Sequence, residues 1–87
     1  MNYFVYLIIS NKNNKFTSYV GYTSNLKNRL KLHNTSKGAK YTRGRLWKLI
    51  YKKKYINKSL AMKEEYLLKK NYKLRNQIKN NYIKHVK

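Results

Sequence analysis

The strongest constraint on the fold is an apolar run that stops short. Residues Tyr3–Ile9 are apolar and rich in β formers, and Ser10-Asn11-Lys12-Asn13-Asn14-Lys15 follows at once as a polar turn cluster. The run is well below the roughly 20 residues that a membrane span requires. No basic segment precedes it, so it does not read as a signal peptide. An apolar strand needs a partner, and Phe16–Tyr22 resumes with β formers, so the two segments predict a hairpin. Gly21, near the end of the second strand, permits a close approach of backbone.

The rest of the chain alternates in type. Ser24 offers an N-cap, and Asn25–His33 reads as a helix with Leu26 and Leu30 four apart. Asn34–Arg45 is polar, carries Gly38 and Gly44, and reads mostly as loop with room for one helical turn. Leu46–Ile56 is β-rich and gives a third strand, although Lys52-Lys53-Lys54 interrupts its apolar character. Asn57 or Ser59 caps a helix over Leu60–Lys70. Asn71–Lys87 continues helical, with Leu74, Ile78 and Tyr82 on one face. The expected fold is α/β: a small three-stranded antiparallel or mixed sheet flanked by helices, in the order β-β-α-β-α-α. Its 87 residues suit one domain with one modest core.

Charge then narrows the partner. The chain carries 22 Lys and Arg against two acids, a formal net charge of +20. Cations that neutralise phosphates release condensed counterions, so a polyanion, nucleic acid before an anionic membrane surface, is the expected partner. Codon bias toward an AT-rich genome would enrich Lys, Asn, Ile and Tyr together. It does not account for the near-absence of acids.

The two acids are the adjacent Glu64 and Glu65, and there is no Asp. A two-metal nuclease clamps its ions with several carboxylates, which this chain lacks. Paired-carboxylate glycosidase chemistry is also disfavoured, because adjacent helix residues point in different directions. With three Gly, the chain has neither the Walker loop nor the dinucleotide fingerprint. With no Cys it has no disulfide framework and no thiolate nucleophile, which suits a cytoplasmic location.

Candidate chemistry lies on few residues. Tyr6 sits mid-strand and Tyr19 lies on its partner, although ten Tyr in the chain make neither distinctive alone. Arg29 and His33 are four apart on the first helix and share a face. Arg29 is one of four Arg among many Lys, and a planar guanidinium suits a phosphate better than a point charge does. Glu65 aligns with Ala61 and Leu68. Glu64 aligns equally well with Leu60 and Leu67, so periodicity does not choose between them.

These pieces resemble the GIY-YIG nuclease family, and the small stand-alone bacterial members in particular. Phe4-Val5-Tyr6 followed by Tyr19-Val20-Gly21 resembles the paired signature, with Phe4 in place of the first Gly. The segment Thr23–Leu30 looks like the following helix with its Arg, and His33 falls where many members carry His. Gly38–Arg45 is similar to a segment of the small members. Ser59–Lys70 looks like the metal-site helix, with Glu65 aligned to its Glu. The resemblance covers about residues 3–70 of one domain spanning 1–87, and 71–87 forms a C-terminal helical extension.

The resemblance implies a metal-dependent endonuclease that hydrolyses phosphodiester bonds in nucleic acid, DNA first, through one Mg²⁺ or Mn²⁺ held by Glu65. It implies that Tyr6 activates or orients the water, and a dense cationic environment is expected to favour its tyrosinate form. Tyr19 would position the water or phosphate, Arg29 would grip the phosphoryl group, and His33 would hold the network or relay a proton. These five residues are expected to converge on one concave surface at one sheet face. Lys40, Arg43 and Arg45 are expected to contact the phosphate backbone, and a protein partner or nucleic-acid shape to supply specificity. Two other readings compete: a non-catalytic nucleic-acid-binding domain of the same fold, and a basic RNA-coating or ribosome-associated protein.

Overall fold

A computed structural model describes residues 1–86, which fold as β1 (Tyr3–Lys12), β2 (Lys15–Thr23), α1 (Leu26–Asn34), a 3₁₀ turn (Lys40–Thr42), β3 (Lys48–Tyr55), α2 (Lys58–Lys70) and α3 (Tyr72–Val86). The order is the expected β-β-α-β-α-α. The strands form one sheet in the order β2-β1-β3, and both pairings are antiparallel.

The hairpin is longer than the apolar run. Lys12 pairs with Lys15, so only Asn13 and Asn14 form the turn, at φ 55° and 64°. Asn tolerates this left-handed region, and a two-residue turn of that hand matches the twist of the strands. The polar residues Ser10–Lys12 are therefore strand: Ser10 is buried, while Asn11 and Lys12 mark an exposed hairpin end.

Helix starts follow side-chain caps. Asn25, not Ser24, caps α1: its side chain accepts from the Asn28 N–H at 3.0 Å. Thr23 Oγ1 accepts from the Asn25 N–H at 3.1 Å, which holds the chain extended one residue further than expected. Asn57 caps α2 through the Leu60 N–H at 2.8 Å. Asn71 stops α2 and its side chain accepts from the Leu74 N–H at 3.1 Å, which starts α3 as a separate helix. The expected helical stretch from Asn71 thus begins at Tyr72, and Lys87 lies outside the described residues. Asn34 grips Trp47 by donating to its carbonyl and accepting from its N–H, which delays β3 to Lys48.

Apolar packing covers both faces of the sheet. On one, Val5, Leu7 and Val20 bury against Ala61 and Leu68 of α2, with Ile78 of α3 beside them. On the other, Tyr6, Ile8 and Trp47 pack with Leu26 and Leu30 of α1. Among the described residues the outer edge of β2 has no strand partner.

Candidate active site

Register places the two signature tyrosines. Tyr6 is paired with Gly21 and Ile8 with Tyr19, so Tyr6, Gly21 and Tyr19 face the α1 side of the sheet. The Tyr6 ring lies across Gly21. A Cβ on Gly21 would sit 2.6 Å from Tyr6 Cζ, closer than real contacts allow. Glycine at 21 is therefore what lets the Tyr6 hydroxyl extend over β2 toward the free edge.

At that edge lies a cleft of about 460 Å³ lined by Tyr6, Tyr19, Arg29 and Glu65, with Tyr3, Tyr22 and Lys58 around them. Arg29 and Glu65 do not share a sheet face. Arg29 comes from α1 and Glu65 from α2, which pack on opposite faces. They reach one cleft around the edge of β2, so the expected convergence over a single face is corrected to convergence at an edge. Glu64 lines a different cleft, with Val5, Tyr51 and Leu68. The geometry thus separates two acids that helical periodicity could not.

His33 does not line the cleft. It is fully buried beneath Tyr6, and its two ring nitrogens are both engaged. Nε2 lies 2.8 Å from the Tyr6 hydroxyl and Nδ1 lies 2.8 Å from Thr42 Oγ1. Thr42 Oγ1 donates its single proton to the Ala39 carbonyl at 2.8 Å. It can therefore only accept from His33, so Nδ1 carries the hydrogen and Nε2 is the acceptor for the Tyr6 O–H. A Cβ on Gly38 would lie 3.0 Å from His33 Cε1, so the loop backbone is pressed against the ring.

Protonation follows from burial and from Arg29. Burial raises the Tyr6 pKa, and the Arg29 guanidinium offsets this only in part. The expected tyrosinate is thus corrected to a neutral phenol whose proton points at His33. Burial and the charge of Arg29 both hold His33 below its usual value, which leaves a neutral base. Arg29 is held more firmly protonated through the neighbouring Tyr6 hydroxyl. Its Nε is buried without a hydrogen-bond partner.

A model of the GIY-YIG catalytic domain matches residues 2–81. The chain belongs to the GIY-YIG family. Domains of this family are generally divalent-metal-dependent endonucleases that act on nucleic acid. A UPF0213 protein of Oceanobacillus iheyensis is 62% identical over 52 residues, which are 59% of this chain and 60% of that relative. The match thus spans less than two-thirds of that relative's length. A UPF0213 protein of Streptococcus agalactiae is 49% identical over 69 residues, 78% of this chain and 75% of the relative. The solution NMR structure of a UPF0213 protein from Bacillus halodurans is 36% identical, with a TM-score of 0.49, and the match covers 92% of this chain and 84% of that one.

Several contributors to this GIY-YIG site were missed in the sequence. Thr42 and Gly38 set the His33 ring, and Lys58 adds a cation to the cleft. The first two lie inside the family-like segment Gly38–Arg45, where only the charges Lys40, Arg43 and Arg45 were singled out. None of those three lines the cleft. Lys40 and Arg43 are exposed, and Arg45 is half-buried with Nη1 lacking a partner.

The donor set suits few metal schemes. Among the described residues no three His, Asp or Glu side chains gather. Glu65 is the lone carboxylate in the cleft, and Lys69 Nζ lies 3.3 Å from its Oε1. One hard oxygen donor fits a single Mg²⁺ that keeps several waters and takes its remaining ligands from substrate phosphate. No described helix is long and apolar enough to cross a membrane.

Proposed function

We propose that this domain is a divalent-metal-dependent endonuclease that hydrolyses phosphodiester bonds in nucleic acid, with DNA as its first substrate. The observation that carries this is the cleft where Tyr6, Tyr19, Arg29 and Glu65 meet. A phosphate, a water and a cation source need such a mix of acceptor, donor and carboxylate in one place.

In this reading Tyr6 works as a relay. Its hydroxyl oxygen accepts a hydrogen bond from the attacking water while its own proton points at His33 Nε2. As the water attacks phosphorus, its proton passes to Tyr6 Oη and the Tyr6 proton passes to His33. The resulting imidazolium keeps its Nδ1–H on Thr42. A high Tyr6 pKa then ceases to be an obstacle, because no free tyrosinate forms. Arg29 stabilises the charge that develops on the phosphoryl oxygens. Tyr19 packs edge-on against His33, with centroids 5.2 Å apart, and presents its hydroxyl to the cleft. Lys58 is assigned to a flanking phosphate. Glu65 would hold the Mg²⁺ or Mn²⁺, which when bound would supply positive charge for the departing alkoxide.

Lys40, Arg43 and Arg45 are assigned to backbone contact beyond the cleft, where they add affinity without reading sequence. Specificity is left to nucleic-acid shape or to a protein partner. A plasmid-nicking assay with Mg²⁺ and with chelator tests the proposal, with Glu65→Ala as control. Metal-dependent nicking lost in Glu65→Ala is the expected result. Binding without nicking under any metal would favour the non-catalytic domain.

A further inference from the structure

We propose that Tyr41 is the floor of a second subsite, beside the cleft, that stacks one unpaired nucleobase of the bound nucleic acid. This rests on the cleft being a nucleic-acid site. Tyr41 stands on the 3₁₀ turn and is 59% exposed, so one face of its ring is open to solvent. Its ring stacks on Tyr19 at 5.9 Å and 25°. Tyr19 is itself braced edge-on by His33 at 5.2 Å and 61°. The exposed ring therefore rests on one that is fixed from below, which makes it a rigid platform.

The surroundings name the occupant. A second cleft of about 340 Å³ runs along the free edge of β2, lined by Tyr19, Val20, Tyr41, Lys69 and Arg75. Tyr19 lines both clefts, and the Lys69–Glu65 ion pair at 3.3 Å joins them, so the two are neighbours along one edge. The platform is aromatic and flat, and the flanking groups are cationic. Arg75 Nε is buried with no hydrogen-bond partner. No carboxylate lines the second cleft among the described residues. An apolar peptide would leave Arg75 Nε without a partner and would offer nothing to the cationic wall. A nucleotide matches both, with its base on Tyr41 and its phosphate between Lys69 and Arg75. Bases inside a duplex have both faces covered by their neighbours, so the base that stacks here must be unpaired. The subsite therefore selects branched, gapped or tailed nucleic acid over continuous duplex.

The test measures binding in chelator, where cleavage plays no part. The probe is a short duplex with a single-stranded tail that carries 2-aminopurine near the junction, and a tailless duplex is its partner. Wild type and Tyr41→Phe should quench the fluorophore. Tyr41→Leu should lose the quenching and bind the tailed probe about 5- to 150-fold more weakly, the value of one base stack. Its affinity for the tailless duplex should not change, and circular dichroism should show the same fold. Tailed binding by wild type without quenching would overturn the proposal whether or not any variant folds. Equal losses on both probes in Tyr41→Leu, or no loss on either, would also overturn it. Failure of wild type to bind either probe would instead remove the nucleic-acid reading on which the subsite rests.

Discussion

Alternate residues of β1 serve two unlike surfaces. Val5 and Leu7 face α2 and pack in an apolar cluster with Val20, Ala61 and Leu68. Tyr6, between them in sequence, faces α1 and is as buried, but its hydroxyl is tied to His33 and through it to Thr42. The apolar face is non-directional, since dispersion and the hydrophobic effect ask only for volume and shape. The polar face is directional, because every buried donor and acceptor must meet a counterpart. One strand thus separates stability from chemistry at a spacing of one residue, and the two should fail differently when mutated.

Two substitutions test that separation at its largest. Arg29→Ala should lower the cleavage rate by about 10²–10³, the usual cost of losing a donor aimed at developing charge. Binding should stay nearly intact, and Arg29→Lys should also fail substantially, since a point charge does not replace the planar fork. Leu7→Ala should cost about 2–5 kcal/mol of stability in denaturant titration. The fraction that remains folded should cleave at the normal rate. If Leu7→Ala lowers the rate of folded protein as Arg29→Ala does, the two faces are not independent.

Thr42 gives a finer test within the polar face. Thr42→Val keeps the shape but removes the acceptor for His33 Nδ1–H, an unmet buried group worth about 1–3 kcal/mol. We expect cleavage to fall about tenfold and ¹⁵N shifts of His33 to report a changed tautomer. Thr42→Ser should restore both. Unchanged tautomer and rate in Thr42→Val would mean that the Thr42 contact is packing alone.

The pH dependence follows from the same contacts. In the proposed relay cleavage needs His33 neutral, and burial with Arg29 holds its pKa below the ordinary value of about 6.5. Activity should therefore persist as pH falls through 6.5 and decline only below it. Stability has the related sign. A depressed folded-state pKa contributes stability that is present above the unfolded value and is lost as pH falls toward the folded one. Melting followed from pH 7 downward should show the loss, and His33→Gln should flatten it. An acid limb of activity centred at or above 6.5 would show that His33 is not the group that must stay neutral.

Legibility in the sequence divides along the same line. The element order followed from apolar β-rich runs, helical spacing and turn residues, and Leu26 and Leu30 do pack where their spacing put them. Tyr6, Tyr19 and Arg29 came from motif order, strengthened by the family resemblance. Choosing Glu65 over Glu64 needed that resemblance, because both align with apolar neighbours on α2. Thr42 and Gly38 stayed hidden, because a 3₁₀ turn and its approach have too few residues to show a period. Their roles exist only once the loop folds back to His33, from 9 residues away in the case of Thr42. The edge location of the cleft was also hidden. Strand order decides which strand is outermost, and nothing local encodes it.

The smallest expected effect separates Arg29 from the general cationic surface. Lys53 is exposed on β3, where its Nζ lies 5.8 Å from the Tyr55 ring centroid, and it does not line the cleft of Tyr6, Tyr19, Arg29 and Glu65. Nucleic-acid binding shared among 22 cations loses little when one is removed. For a contacting cation, log K against log salt should lose about 0.7 to 0.9 of slope, the share of one neutralised phosphate. Arg29→Ala should show that loss and the large fall in cleavage together. Lys53→Ala should show at most that loss, with cleavage unchanged at saturating substrate. Titrating a labelled duplex across salt concentrations measures the slope, and single-turnover cleavage measures the rate. If both variants lose binding and cleavage in equal proportion, Arg29 is one more backbone contact. The polar face would then be a second way of packing, and the non-catalytic binding domain would be the better account.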